Sequence, residues 1–229
     1  MTGQTLENIK IDRLVRSNRK TISIIIQADG IVTVRAPLHV SDRQIWSFVR
    51  AKADWIREKQ KLVQKNASQA QPRQYRDGEV FWFLGKTYPL EIRASTPAVV
   101  YLDGKLILRA SAQPRAQAAL TRWYREQAAR VMNERTASLA RQYGFHYKQV
   151  KITSARTRWG SCSTTGTISY PWRLVMAPLP VIDYVVIHEL VHTEVRNHGP
   201  AFWKRVSGLV PDYARKMVWL KQNGALLTC

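Results

Sequence analysis

Three of the five histidines in the chain lie close together, between residues 188 and 198. Two of them, His188 and His192, belong to the pattern His-Glu-x-x-His, in which the acidic residue is Glu189. On an α-helix, residues four apart lie on the same face about one turn apart, so both imidazoles can bind one metal ion while the carboxylate of Glu189 stands beside it. The pattern predicts the core of a zinc hydrolase site.

A second interpretation makes these residues ordinary core histidines on a buried helix. The preceding run, Val181–Ile187, is apolar nearly all round, as expected of a central helix. Two histidines and a glutamate on such a helix would leave unpaired polar groups in an apolar environment, which costs free energy. A bound metal ion removes that cost, so the sequence favours a metal site.

A catalytic zinc site usually has three protein ligands and an open position, so a third ligand must follow the helix. His198 stands ten residues after His188, the interval found in His-Glu-x-x-His-x-x-Gly-x-x-His proteases. The glycine of that motif is replaced by Val195, but Asn197 and Gly199 flank His198 and favour a turn. His198 is therefore the predicted third ligand.

Two acidic residues are alternatives to His198. Glu194 lies well off the face that carries the two helical histidines, because each residue advances about 100° around a helix. No glutamate follows Glu194, so Asp212 is left as the competing carboxylate.

Three blocks of the sequence resemble the YgjP-like metallopeptidases, which are zincins related to the SprT-like and WLM proteases. These blocks are Arg156–Ser163, Pro180–His192 and Asn197–Trp203. The resemblance extends over most of the chain and is most specific in these C-terminal blocks. It implies a zinc ion held by His188, His192 and His198, with Glu189 as the general base.

The elements around this site predict an α+β fold in which a zincin-like catalytic unit with the His-Glu-x-x-His helix follows a β-rich N-terminal half with long helices. Three segments are predicted: a β-hairpin with a helix in residues 1–65, a β-rich segment in residues 75–110, and the zincin-like metallopeptidase domain in residues 111–229. Residues 66–74, rich in Gln, Asn, Ser and Ala, are predicted to be a linker.

Alternating apolar residues predict an antiparallel meander of strands near residues 9–15, 21–27 and 31–35, with a turn at Ala28-Asp29-Gly30. Ser41 is expected to cap one long helix that ends near residue 65. Three or four strands are predicted between residues 80 and 109, then a helix that starts at Ser111 and Pro114, runs to about Tyr143 and is ended by Gly144.

The strand before the site helix is predicted to form a rim along which an extended peptide lies, paired by main-chain hydrogen bonds. Arg156, Arg158 and Trp159 are candidates to line that rim, although Trp159 could equally be a core residue beside a tight turn at Gly160. Arg158 and Tyr213 are the candidates to stabilise an oxyanion.

The balance of charge is strongly basic, with 36 lysines and arginines against 16 acidic residues and a net charge of +20. Such an excess attracts polyanions, so nonspecific DNA association is a candidate, with the basic helices near residues 43–65 and 115–141 as its surface. A solvated basic surface is the simpler explanation. Two cysteines, the lack of a signal-like N-terminus and the lack of a long apolar run predict a cytoplasmic protein with no membrane partner.

These observations predict a zinc-dependent metallopeptidase acting on protein or peptide substrates. In the expected mechanism, zinc polarises the scissile carbonyl and acidifies its bound water, and Glu189 takes the proton and passes it to the leaving amine. Two alternatives stay open: a basic DNA-associated protein with a structural zinc site, which would have no use for Glu189 as a base, and a zinc hydrolase acting on other bonds.

Overall fold

The computed structural model describes residues 9–27, 30–69 and 73–229, with the side chains of residues 62–69 left out. The chain divides into two compact units, with the boundary between Pro72 and Arg73. Helices and three small sheets occur together, which confirms the α+β class predicted from the sequence. Among the described residues, no helix is both long enough and apolar enough to cross a membrane.

The first unit contains a three-stranded sheet and two helices. Its elements are β1 (Arg13–Ser17), β2 (Ser23–Ile26), β3 (Val32–Pro37), α1 (Asp42–Ala51) and α2 (Ala53–Gln69). The predicted hairpin is confirmed, since β2 and β3 pair antiparallel, but the predicted meander is wrong, because β1 does not pair with β2. The strand order is β1-β3-β2, with β1 parallel and β2 antiparallel to β3. β3 takes the centre because its residues are nearly all buried, whereas β1 is mostly exposed. Ala28 and Asp29 of the predicted turn lie outside the described residues.

The helical part of the first unit begins at Ser41, as predicted. The Ser41 hydroxyl accepts a hydrogen bond from the Gln44 backbone amide, and the Gln44 side chain accepts one from the Ser41 amide, which is a complete capping box. The single long helix predicted is wrong: it breaks at Lys52, whose backbone (φ −110°, ψ 14°) leaves the helical region. The second helix extends to Gln69, into the stretch predicted to be a linker.

The second unit begins with a four-stranded sheet whose strands agree with the prediction. They are β4 (Val80–Phe83), β5 (Lys86–Arg93), β6 (Val100–Asp103) and β7 (Lys105–Arg109), in the order β4-β5-β7-β6. The turn between β4 and β5 holds the segment that leads into the site helix: the amides of Leu84 and Gly85 donate to the carbonyls of Val175 and Met176 at 2.9 and 3.1 Å. Gly85 has φ +78°, and a Cβ there would lie 2.7 Å from Cα of Pro178.

The rest of the unit is a long helix, a second small sheet and three shorter helices. These are α3 (Ala116–Tyr143), β8 (Gln149–Thr153), β9 (Ser161–Cys162), β10 (Thr167–Pro171), α4 (Leu179–Val191), α5 (Pro200–Leu209) and α6 (Tyr213–Asn223). α3 ends where predicted, with Gly144 in the left-handed conformation at φ 75°. The small sheet has the order β8-β10-β9, with β10 in the centre.

α4 lies in the middle of the second unit. Its residues Val186 and Leu190 are fully buried in the core of this unit. The same core contains Phe81 and Leu106 of the four-stranded sheet and Leu120 of α3. Residues 75–110 and 111–229, which the sequence analysis treats separately, thus share one core. Asp183 of α4 forms a bidentate ion pair with Arg135 of α3, at 2.7 and 2.8 Å. Arg135 therefore links α3 to the site helix.

Candidate active site

The three histidines converge at the C-terminal end of α4. His188 lies in its last turn, and His192 directly follows its last residue, Val191. His198 lies in the connection to α5, where Gly199 is the N-cap. The Nε2 atom of His198 is 2.9 Å from Nε2 of His188 and 3.1 Å from Nε2 of His192. Among the described residues, these three form a cluster whose ligand atoms all lie within 4.8 Å of one another.

The remaining ring nitrogen of His192 has a partner that fixes its tautomer. Nδ1 of His192 donates to the carbonyl of Val195 at 3.1 Å, which leaves the lone pair on Nε2 free for a ligand bond. Burial lowers the pKa of His192, and it lowers the pKa of His188 to about 3 with help from the other two histidines. The lowered pKa values of His188 and His192 keep both imidazoles neutral at neutral pH, which is the form that binds metals.

Aromatic side chains of α5 support the histidines from below. The Phe202 ring is fully buried and lies 4.8, 4.5 and 4.7 Å from the rings of His188, His192 and His198 respectively. The ring centroid of Trp203 lies 5.9 and 5.8 Å from the ring centroids of His188 and His198. Because the apolar contacts with Phe202 restrict the orientation of all three rings, α5 is the element that positions the cluster.

Glu189 is the buried acid of the site. Its side chain belongs to a residue only 4 % exposed, and Oε2 has no hydrogen-bond partner. Burial raises the pKa of Glu189 to about 8, while the nearby Arg158 guanidinium acts in the opposite direction. A buried carboxyl group without a structural partner costs free energy, and such groups concentrate at functional sites.

Gly160 makes room for Glu189. A Cβ built at Gly160 would lie 2.3 Å from Oε1 of Glu189 and 2.6 Å from its Cγ and Cδ, far inside van der Waals contact. Any other residue at position 160 would therefore displace the carboxylate. The sequence predicts only a tight turn at Gly160, because no local pattern links this residue to one on α4.

The strand beside the histidines is β9, and this corrects the prediction about the rim. The strand that leads towards α4 is β10, which has neighbours on both sides at Ile168 and Ser169 and therefore offers no free edge there. β9 pairs with β10 through Ser161 and Cys162 and has no described strand on its outer side. Ser161 and Cys162 line an open cleft of about 300 Å³ together with the three histidines, Glu189, Gly160, Arg158 and Arg196.

Arg196, which the sequence analysis does not single out, ties the histidine loop to this sheet. Its guanidinium donates to the carbonyls of Ser163 and Thr164 at 2.7 and 2.9 Å, in the turn after β9. The loop that carries His198 and the edge strand are therefore held together. The signal in the sequence is weak, since one arginine among 36 lysines and arginines forms no specific pattern.

The other predicted residues are distributed around the site. Arg158 lines the open cleft beside the three histidines (the metal cleft). Together with Trp159 it also lines a neighbouring apolar cavity. Trp159 is half-buried and packs closely on Gly224, so it is part wall and part core. Tyr213 stacks on Trp203 at 5.4 Å and is not among the residues that line either cavity.

The two competing acids lie elsewhere in this arrangement. Asp212 forms an ion pair with Lys216 at the start of α6. Glu194 forms one with Arg205 at 3.2 Å. Neither belongs to the cluster of potential metal ligands found among the described residues.

The family model of the YgjP-like metallopeptidase domain matches residues 20–223, nearly the whole chain. The chain belongs to the YgjP-like family. This confirms the resemblance seen in the sequence. The YgjP-like chain is also similar to the crystal structure of the metallopeptidase zymogen abylysin of Pyrococcus abyssi, with 21 % identity, 40 % of this chain and 96 % of that chain covered, and a TM-score of 0.35. No curated protein matches it.

As a YgjP-like metallopeptidase, the chain needs a metal ion, and the residues at the end of α4 fit one. Three imidazoles offer converging Nε2 atoms, and His192 has the outer hydrogen bond that commonly orients a ligand histidine. The cleft in front of them is open, so a substrate can reach it. The donor set and its surroundings thus suit a catalytic metal centre.

The contact between Gly160 and Glu189 leads to a testable prediction. Gly160→Ala should lower kcat about ten- to hundred-fold, because misplacing a reacting group by about 1 Å can cost that much. Metal affinity should be retained, since the added methyl group displaces Glu189. Gly208→Ala is the matched control, because nothing lies within 4 Å of a Cβ at that position of α5. Equal activity of the two variants would show that the position of Glu189 is unimportant.

Proposed function

We propose that the chain is a zinc-dependent peptidase in which His188, His192 and His198 bind the zinc ion and Glu189 is the general base. The observation that carries this proposal is the convergence of three histidine Nε2 atoms beside a buried, unpartnered carboxyl group, at an open cleft. A structural zinc site is usually closed by four protein ligands, whereas a catalytic site keeps one position free. Three ligands and an adjacent acid fit the catalytic kind.

The donor set favours zinc over harder cations. Imidazole nitrogen suits zinc, whereas calcium and magnesium prefer sets of oxygen ligands. No carboxylate joins the cluster among the described residues. When bound, zinc supplies Lewis acidity in the cleft and lowers the pKa of water there.

Glu189 carries the proton transfers of the reaction. Its carboxylate accepts a proton from the attacking water and later delivers that proton to the nitrogen of the leaving amine. Burial raises the pKa of Glu189 to about 8, close to neutral pH, and a carboxyl group with a pKa in that range can both accept a proton and return it. Gly160 keeps the carboxylate in place for both.

Arg158 is the better candidate to stabilise negative charge on the substrate carbonyl. Its exposed guanidinium lines both the metal cleft and the apolar cavity, and it forms no ion pair or hydrogen bond within the described part of the chain. A positive group beside the developing charge lowers the barrier, and the guanidinium of Arg158 is free to turn towards a bound substrate. A role for Tyr213 stays a prediction from the sequence.

The substrate main chain is proposed to pair with the outer edge of β9. An extended peptide that adds to an edge strand gains main-chain hydrogen bonds with little dependence on its side chains. Specificity would then come from the adjacent cavity of about 610 Å³, whose apolar lining includes Tyr184, Val185, Met217 and Val218. We expect a large apolar side chain of the substrate to occupy it.

The test is cleavage of an unfolded protein by the zinc-loaded chain, with the products identified by mass spectrometry. New peptide termini that depend on added zinc support the proposal. Hydrolysis of simple esters or phosphoesters without any peptide cleavage would favour the alternative of a hydrolase for other bonds.

Nonspecific DNA association stays a prediction from the net charge of +20. Its signature would be binding that weakens steeply with added salt.

A further inference from the structure

A second group of cavities, lined by arginines, lies beside the proposed active site. The larger has a volume of about 860 Å³ and is lined by four arginines from α3, from the segment after β8 and from the segment before α4: Arg122, Arg125, Arg156 and Arg173. A smaller one of about 470 Å³ shares Arg156 and Arg173 with it and adds Arg158 and Trp159. Together we call these the arginine cavity.

The positive charge of the arginine cavity is poorly balanced. Glu126 is the one carboxylate side chain among the described residues that line it, and it already pairs with Arg122 at 3.0 Å. Arg125 donates to the hydroxyl of Ser154. Within the described part of the chain, Arg156 and Arg173 form no ion pair. The cavity therefore attracts an anion from outside the chain.

Arg173 is the most exacting member of this group. Its guanidinium lies 4.2 Å above the ring of Trp172, and its Nη1 atom is buried without a hydrogen-bond partner. Burial and the charge of Arg156 lower its pKa, while Cys229, which also lines the cavity, acts in the opposite direction. Leaving a buried cationic donor unpaired costs free energy, so a small shift of this half-buried side chain that gives Nη1 an external acceptor would be favourable.

The arginine cavity adjoins the apolar cavity that is proposed to hold a substrate side chain. Arg158, Trp159 and Leu220 line both the arginine cavity and the apolar cavity next to Glu189, so they are a common wall. The Trp159 ring packs directly on the backbone of Gly224, since a Cβ at Gly224 would lie only 2.6 Å from Cζ2 of Trp159. This contact restricts the movement of the ring. A substrate that occupies the apolar cavity and extends past this wall meets the guanidinium groups.

We propose that the arginine cavity binds a carboxylate side chain of the peptide substrate and makes the enzyme selective for sequences with an acidic residue near the scissile bond. This rests on the proposed peptidase function. A guanidinium presents a planar fork of donors that matches a carboxylate in a bidentate geometry. Single-stranded nucleic acid is less suited, because successive bases need successive aromatic faces for stacking. Trp172 is 2 % exposed beneath Arg173, so Trp159 is the one accessible aromatic ring among the described lining residues.

The test compares peptide pairs that differ only by glutamate or glutamine, with that position scanned along both sides of a cleaved bond. For the zinc-loaded wild type, kcat/KM should be roughly ten- to hundred-fold higher for the glutamate peptide at one position, the range expected for a hydrogen bond to a charged group. The ratio should fall to near one in Arg156→Gln/Arg173→Gln. It should persist in Arg76→Gln/Arg141→Gln, which removes the same charge from two exposed residues outside the cavity.

Folding of the double variant is monitored by its activity on the glutamine peptide, which should be retained. If that activity is lost as well, the exposed Arg156→Gln alone should reduce the ratio, and Arg173→Lys should keep part of it. A ratio near one for the wild type at every scanned position would overturn the proposal. So would a ratio that the double variant leaves unchanged.

A binding experiment separates this proposal from the peptidase function itself. Fluorescence anisotropy with Glu189→Gln, which should not cleave, measures affinity for the same peptides with and without the two arginine substitutions. Tighter binding of the glutamate peptide that depends on Arg156 and Arg173 supports the cavity even if no peptide is hydrolysed. A single-stranded oligothymidylate that binds more tightly than the peptide, and loses that binding in the double variant, would show that the occupant is nucleic acid and overturn the proposal.

Discussion

Replacing Glu189 with glutamine should abolish peptide hydrolysis while the zinc ion stays bound. Glutamine has nearly the shape of glutamate, so it fits the space beside Gly160, but its amide cannot accept a proton from water at neutral pH. Loss of a general base lowers kcat by about 10²- to 10⁴-fold, and we expect the upper part of that range because Glu189 serves both proton transfers. Metal content and kcat are measured on the same samples.

Glu194→Gln is the matched control for this experiment. Glu194 lies in the connection between α4 and α5, is exposed, and pairs with Arg205 on the surface, so its substitution should leave both zinc and kcat unchanged. If Glu189→Gln and His188→Ala lose zinc equally, Glu189 acts as a ligand and the proposed division of roles is wrong.

Replacing His198 with alanine should weaken zinc binding by more than 100-fold. The loss of an outer hydrogen-bond partner of a ligand typically costs 10- to 100-fold in affinity, and the loss of a direct ligand should cost more. Asp212→Asn should bind zinc as the wild type does, because Asp212 pairs with Lys216 and lies outside the histidine cluster. Competition with a chromophoric chelator measures both affinities.

The two variants are informative as a pair. Retained zinc in His198→Ala together with lost zinc in Asp212→Asn would make Asp212 the third ligand. The loop between α4 and α5 would then have a different arrangement around the metal from the one in which the three Nε2 atoms converge.

The features that the sequence predicts well are those that depend on residues close together in the chain. The spacing of His188 and His192 places them on one face of α4, and the cap at Ser41 and the stop at Gly144 follow from single side chains and a flexible backbone. The ten-residue interval predicts His198 because a short loop returns to the helix it has just left. Local geometry limits the alternatives in each case.

The features that the sequence does not predict depend on residues far apart in the chain. Gly160 on the segment before β9 contacts Glu189 on α4, and Arg125 and Arg173 line one cavity only because α3 packs against the segment before α4. β1 pairs with β3 because burial selects the central strand, although adjacency in the chain favours a meander. β9 becomes the edge strand although it is only two residues long, too short for a periodic pattern.

The most direct test of a catalytic zinc centre is a titration of the metal-free protein with zinc, followed by hydrolysis of a fluorogenic peptide. Activity should rise linearly with added zinc and level off at about one ion per chain, as one site built by His188, His192 and His198 requires, and the same titration of Glu189→Gln should bind the ion without gaining activity. Full peptide hydrolysis by the metal-free protein, or an unchanged rate as zinc occupies the histidines, would contradict the account.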